Sequence, residues 1–314
     1  MTNLERHPRN ETGARPPVVD FDNHDTAMNE GEVRERFEDF RSRCPVAHVD
    51  RYGGFDLISG YPEIRQVGSA RDSFSTAGEG TLLPPVEGLP PIPPLEFDGV
   101  EHTEWRQMFD ALVGPKVVLE HQSLVRETVD AQIDTFARSG SVDLVKVFTH
   151  PVPGRVIGRL VGLDTEESLH SQQLFDSCSE SLALGPAGGG FDRFVAFVTE
   201  QLESRRSQPR EDMLTALAGG SFQGKSFDDQ AAVQLVLTLL GGGHHSTAAG
   251  LAGLTHHILT HDDARAAALG GGDALARVID ESLRLTSPLS MFARTVVEET
   301  NVGASTSSPA PACC

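Results

Sequence analysis

The sequence predicts a mainly α-helical chain with one small β-sheet near its start, and three observations predict it. Apolar residues recur at helical spacing over most of the chain beyond Trp105. One such pattern runs unbroken from Ser226 to about His261. That is about 34 residues, or about 50 Å at 1.5 Å per residue, enough to span a domain. Alternation of the strand type is confined to VAHVD and GGFDLISG, residues 46–50 and 53–60, where a Gly-Gly break between the two runs suggests a hairpin.

The elements follow in order. Residues 1–15 have the composition of a flexible arm, so order is expected from about Pro16. Glu32 to Arg43 reads as a short charged helix with Val33, Phe37 and Phe40 on one side. PPVEGLPPIPP, residues 84–94, is too rich in proline for a helix or central strand and is expected to form an extended loop. Helical spacing then covers Trp105 to Val113, Leu119 to Phe136, Leu144 to Leu160, Glu166 to Leu184, Phe191 to Leu202 and Met213 to Ala218. Ser226 with Asp229 resembles a capping box at the head of the long helix. A last helix is expected after Asp273 as its N-cap, stopping at Thr286-Ser287-Pro288 because the residue before proline avoids the α region.

Composition narrows the function classes. The 314 residues suit one large domain or two small ones. A formal net charge of −19, with 26 Lys and Arg against 45 Asp and Glu, argues against nucleic acid as a partner. No charge-free apolar run approaches the ~20 residues a bilayer span needs, and the polar start MTNLERHPRNETGARPP lacks the apolar core of a secretion signal. A cytoplasmic protein without a membrane partner is the resulting expectation. Cys44, Cys178, Cys313 and Cys314 show no CxxC spacing, so neither a zinc site nor a disulfide framework is encoded locally.

Several motifs carry chemistry. GGSFQGKS, residues 219–226, satisfies the phosphate-loop pattern through Gly219, Gly224, Lys225 and Ser226. A phosphate loop needs a strand before it, whereas EDMLTALA upstream is made of helix formers. A glycine-rich turn is therefore the main reading, and a nucleotide binder using 219–226 is kept as the weaker alternative. His257 and His261 stand four apart, a metal-ligand spacing, but Ile258 occupies the place of the glutamate a zinc peptidase requires. With His244, His245 and His256 these imidazoles form a possible metal group, weighed against capping of helix carbonyls or exposure to water.

A three-part constellation remains, its parts far apart in sequence. His102 and Arg106, one turn apart beside Trp105 in EHTEWRQMF, suit a grip on a carboxylate. Glu281 and Arg284 form an i,i+3 pair. Gly242-Gly243-His244-His245-Ser246-Thr247 lies in mid-helix, although each glycine there costs roughly 1 kcal/mol relative to alanine. Small residues clear space for a large flat ligand, and hydroxyls or an imidazole can handle protons.

In this order the residues resemble the soluble bacterial cytochrome P450 monooxygenases, over residues 16–303. The resemblance implies a P450-like fold, with the central stretch matching the family's [AG]Gx[DE]T[TS] segment over haem. Gly242 and Gly243 would then approach the porphyrin, and His245, Ser246 and Thr247 would be the catalytic group. Glu281 and Arg284 match the ExxR lock. His102, Arg106 and Arg294 of FARTVVEE match the propionate grips. FDLISGYPEIRQVGSARDSFST, residues 55–76, is similar to the family's first hairpin and helix, and SPLSMF, residues 287–292, falls at a substrate-contacting turn.

Two departures qualify the match. His245 stands where the family has an acid and Ser246 where it has threonine, so altered coupling of oxygen use to substrate oxidation is expected. After VVEETNVG the chain ends in ASTSSPAPACC, residues 304–314, instead of the family's FxxGxxxCxG segment, so no residue is assigned as ligand to the iron. The resemblance thus implies a fold incomplete at its C-terminus, and a family activity that hydroxylates a small apolar molecule with dioxygen and reduced ferredoxin. The truncated chain itself is expected to be inactive, or alternatively to be a non-catalytic remnant or binding protein that holds haem weakly.

Overall fold

The computed structural model describes residues 16–313 except 23, 26, 29, 84–89, 185–188, 223, 304 and 308–311. Two compact units form, one within Met1–Pro91, Leu95–His102 and Met291–Cys314, the other within Ile92–Pro94 and Thr103–Ser290. The arm at 1–15 and most of the proline-rich loop lie outside the described residues.

In the first unit, α1 (Glu30–Arg43) precedes the hairpin of β1 (Val46–Val49) and β2 (Phe55–Ile58), as the alternation predicts. Val46 pairs with Ile58 and Val49 with Phe55, in antiparallel register. Because side chains alternate across a sheet, this register sorts the residues into two clusters. Phe21, Val49, Phe55, Leu57, Leu83 and Ala293 form one, with Phe37 and Phe40 of α1 against it. Val46, Ile58, Phe74, Val296 and Val302 form the other. The helix α2 (Tyr61–Ser69) leads to β3 (Phe74–Ser75). Five strands join in the order β1-β2-β9-β6-β3, with β6 at Arg294–Val296 and β9 at Ala312–Cys313. A separate ribbon pairs β7 (Thr300–Val302) with β8 (Ser305–Ser307). Short strands therefore occur within 304–314.

The helix α3 (Gly99–Val113) belongs to the first unit up to His102 and from Thr103 opens the second unit's helical series. It continues through α4 (Pro115–Glu120), α5 (Gln122–Phe136), a π-helical turn at Val145–Thr149, α6 (Pro151–Val161), α7 (Thr165–Leu184), α8 (Gly190–Ser207) and α9 (Met213–Ala218). The predicted single helix over Leu144 to Leu160 is thus a π turn running into α6, whose prolines at 151 and 153 fall in its first turn, where no amide donor is missed. Then come α10 (Asp229–Thr260), α11 (Asp262–Gly270) and α12 (Gly272–Thr286).

The long helix is 32 residues, close to expectation, but its cap is Asp228, whose side chain accepts from the Ala231 amide at 2.8 Å. Ser226 instead lies in a strand. Asp273 is likewise inside the first turn of α12 and not its cap. From Ala232 to Leu240 nearly every side chain of α10 is buried, as befits a helix apolar all round.

Glycines set the close approaches in this unit. A methyl group on Gly158 of α6 would stand 2.5 Å from Ser168 Oγ of α7, and one on Gly154 would stand 2.9 Å from Gln172 Oε1. Glycine at these positions lets α6 and α7 touch backbone to side chain. A buried ion pair locks the far end of α8. Arg205 Nε donates to Asp212 at 2.7 Å and its NH2 donates to the Gly162 carbonyl at 2.7 Å, with the Arg205 side chain fully buried. Burial alone would raise the Asp212 carboxyl, but hydrogen bonds from Arg205 and Thr215 and the arginine's charge hold it below the usual carboxylate value.

Candidate functional site

The three-glycine run of α10 is not one notch but three different environments. Successive helical residues point 100° apart, so neighbours in sequence face different neighbours in space. A methyl on Gly241 would stand 2.7 Å from the Phe175 ring of α7, and one on Gly243 would stand 2.7 Å from Ile157 of α6. Both glycines are there for helix packing. Gly242 is exposed, and a methyl on it would meet nothing within 4 Å. The expectation that Gly242 and Gly243 present one bare face therefore narrows to Gly242.

Ser246, one turn on, shares that face and donates from Oγ to the Gly242 carbonyl at 2.7 Å. Thr247 is exposed but lies a further 100° round the helix. His245 turns toward α7, where Nε2–H donates to Asp176 Oδ1 at 2.8 Å and Nδ1 meets Ser179 Oγ at 3.4 Å. The predicted catalytic trio is thus divided, with the hydroxyl of Ser246 on the open face and the imidazole of His245 held in a separate polar cluster.

That cluster was only half visible in the sequence. His244 is buried and its Nε2 lies 3.3 Å from the carbonyl of His150. Since a carbonyl only accepts, Nε2 carries the proton, and Nδ1 is left as a bare lone pair. Nδ1 is buried without a hydrogen-bond partner and stands 4.0 Å from Asp176 Oδ1. Burial, followed by the neighbouring His245, lowers the imidazole pKa to about 4, so the ring is neutral. His150 Nε2 reaches the same Asp176 oxygen at 3.3 Å, and Gln172 Nε2 donates to His150 Nδ1 at 2.9 Å. His150 sits at the head of α6 and Asp176 in mid-α7, with no spacing in the sequence to link them to 244–245. The only local sign was two adjacent histidines in an apolar helix.

The other histidines separate from this group. His257 Nδ1 meets buried Ser282 Oγ of α12 at 2.9 Å, and His261 meets the Thr260 hydroxyl at 2.9 Å. The supposed metal group spanning 244 to 261 is corrected: α10 points its two histidine sets into different surroundings.

Of the propionate-grip residues, His102 and Arg294 belong to the first unit and Arg106 to the second. Arg106 is exposed and pairs with Asp110 on its own helix at 3.2 Å. Arg294 NH1 donates to the Ala293 carbonyl at 2.8 Å. Glu281 and Arg284 do form the expected pair, doubly hydrogen-bonded at 2.7 and 2.7 Å, with both side chains more than half exposed. The hydrogen bond from Arg284 lowers the Glu281 carboxyl, and the same bond raises the guanidinium.

The phosphate-loop reading fails in structure as well as in context. A helix, α9, precedes the segment, and β4 (Ser221–Phe222) pairs with β5 (Lys225–Ser226) as a small hairpin. Lys225 is engaged by Glu104 at 2.7 Å and stacks 4.4 Å above the Trp105 ring. An open cleft of about 540 Å³ in the second unit is lined by Phe222 of this hairpin together with Val117, His121, Arg159, Arg210 and Glu211, and by none of Gly219, Gly224, Lys225 and Ser226.

A flat macrocycle needs open backbone, and Gly242 offers it locally, since a methyl group there would meet nothing within 4 Å. A thiolate ligand for its iron does not appear among the cysteines whose side chains are described. Cys178 is buried, and burial pushes its thiol up. Cys44 Sγ donates to the Val46 carbonyl at 2.8 Å.

No protein-family model matches the chain. Curated relatives do. The steroid C26-monooxygenase of Mycolicibacterium smegmatis is 27% identical over 278 residues, covering 86% of this chain and 68% of that protein. The 6-deoxyerythronolide B hydroxylase of Saccharopolyspora erythraea is 28% identical over 274 residues, covering 84% of this chain and 60% of that protein. Among solved structures, CYP108D1 of Novosphingobium aromaticivorans superposes with a TM-score of 0.79 at 19% identity, covering 95% of this chain and 78% of that one. Cytochrome P450 CYP109Q5 of Chondromyces apiculatus gives 0.78 at 20% identity, covering 90% and 73%. The chain spans about two thirds of the length of the first of these relatives. No helix among the described residues is long and apolar enough to cross a membrane. With its helical series, its glycine-bearing long helix and these relatives, the chain has the bacterial cytochrome P450 fold and is similar in sequence to bacterial P450 monooxygenases.

Proposed function

We propose that the chain serves monooxygenation of a small apolar molecule in the cytoplasm, with haem against the Gly242 and Ser246 face of α10, dioxygen as oxidant and a reduced ferredoxin-type protein as electron donor. The observation that carries this reading is the combination at Gly242: a bare backbone face on a buried helix, with a hydroxyl one turn away on the same side. Two of the relatives, a steroid C26-monooxygenase and a 6-deoxyerythronolide B hydroxylase, support an apolar substrate. Haem, when bound, supplies the redox chemistry with dioxygen. The chain's own contribution is steric and polar. Gly242 leaves room at the backbone, Ser246 presents a hydroxyl that exchanges its bond to the Gly242 carbonyl for one to an incoming oxygen atom, and by the family resemblance His102, Arg106 and Arg294 are the residues that would hold the propionates.

By itself this chain is proposed to bind haem without turnover: burial pushes the Cys178 thiol up and Cys44 Sγ donates to the Val46 carbonyl, so neither cysteine with a described side chain is placed as a thiolate ligand. Haem titration tests both statements. A Soret band in the wild type and its loss in Gly242→Leu are expected, as is a carbon monoxide spectrum of the reduced form without the signature of thiolate ligation. Absence of any Soret band would overturn haem binding, and a thiolate-type spectrum would overturn the inactivity.

A further inference from the structure

We propose that His150, Asp176, His244 and His245 form a binding site for one divalent transition-metal ion of the zinc class, clamping α6, α7 and α10 together. The inference rests on other residues than the haem reading's Gly242 and Ser246, and on contacts of α10 with α6 and α7. Their ligating atoms, three imidazole nitrogens and a carboxylate oxygen, all lie within 4.8 Å of one another. The rings crowd accordingly, with centroids 4.7 Å apart for His244 and His245 and 4.8 Å for His150 and His244.

Packing alone does not account for the arrangement. The fully buried lone pair of His244 Nδ1 faces a carboxylate oxygen at 4.0 Å with no donor between them. A buried imidazole lone pair next to a carboxylate oxygen gains nothing from that neighbour, whereas a cation between the two would engage both. The donor set selects its class, because three imidazoles and one carboxylate suit zinc and its neighbours, whereas magnesium and calcium prefer all-oxygen sites.

Each ligand also has an outer partner to hold it. His244 Nε2–H is held by the His150 carbonyl at 3.3 Å, leaving Nδ1 for the ion. His245 has Ser179 Oγ beside Nδ1, so its proton can move there and free Nε2. His150 has Gln172, whose Oε1 is buried without a partner. Half a turn of that amide presents Oε1 to an Nδ1–H of His150 and releases Nε2 toward Asp176. Such outer hydrogen bonds are what orient metal-binding imidazoles.

The test uses the full chain freed of metal, titrated with Zn²⁺ alone by calorimetry and with Co²⁺ alone by visible absorption. One equivalent is expected, with cobalt bands of low-coordinate geometry and a rise in Tm of several degrees. His245→Ala and Asp176→Asn, at partly exposed positions, are each expected to lose affinity by about 100-fold or more while keeping the helical circular dichroism. His261→Ala should bind as the wild type does. Absence of binding by the wild type, or binding lost in His261→Ala and kept in the other two variants, would overturn the proposal. So would an unchanged cobalt spectrum in His245→Ala.

Discussion

Ser246 donates its hydroxyl proton to the carbonyl of Gly242 at 2.7 Å, one helical turn back, on the side of α10 where Gly242 meets no side chain. The glycine and the hydroxyl thus share the open side of the helix, and the glycines on either side of Gly242 do not.

That difference predicts opposite responses to nearly the same substitution. Gly242→Ala adds a methyl group into open space and relieves a helix glycine, so stability is expected to rise by up to about 1 kcal/mol. Gly243→Ala drives a methyl group to 2.7 Å from Ile157 and is expected to cost about 1–3 kcal/mol. Urea unfolding of the two variants decides it, and equal midpoints would contradict the division of the notch.

The hydroxyl itself contributes little to the fold. A serine bonded to the carbonyl four residues back slightly weakens a helix, so Ser246→Ala should leave the unfolding midpoint unchanged or marginally higher. A clear loss of stability in thermal melts would mean that Ser246 has a structural partner beyond Gly242.

The Arg205 and Asp212 pair should dominate acid sensitivity in the second unit. Asp212 titrates below its ordinary value of 3.8 in the folded chain, so its stabilisation is present above that value and is lost as pH falls through the lowered folded pKa. Asp212→Asn leaves a buried guanidinium without its counter-charge and is expected to cost about 3–5 kcal/mol near neutral pH. The variant's unfolding free energy should also vary less with pH at the acid end. A parallel pH profile for variant and wild type would refute the assignment.

The Glu281 and Arg284 pair is expected to behave differently. Both side chains stand in solvent, where ordering and screening offset the attraction. Glu281→Gln should therefore leave the denaturant midpoint within experimental error, and a marked fall would show that the pair holds more than its own helix turn.

Most of the helices, the early hairpin and the long central helix could be read from residue patterns, because period and proline placement are local properties. Boundaries such as the cap at Asp228 were less visible, since Ser226 offered an equally good cap and only the pairing of β4 with β5 removed it. The central glycines, the ExxR pair and the likeness to P450 chains were likewise present in the sequence.

What each glycine faces was not. Gly241, Gly242 and Gly243 are the same letter three times, and only the packing of Phe175 and Ile157 against α10 makes the outer two spacers and the middle one open. The sequence listed His244 and His245 with other histidines of their own helix. Tertiary structure instead joined them to His150 and Asp176, across 94 and 69 positions of chain, because α6 and α7 both pack against α10. Local chemistry determined which elements form. Which polar groups meet was decided by helix contacts that no spacing along the chain encodes.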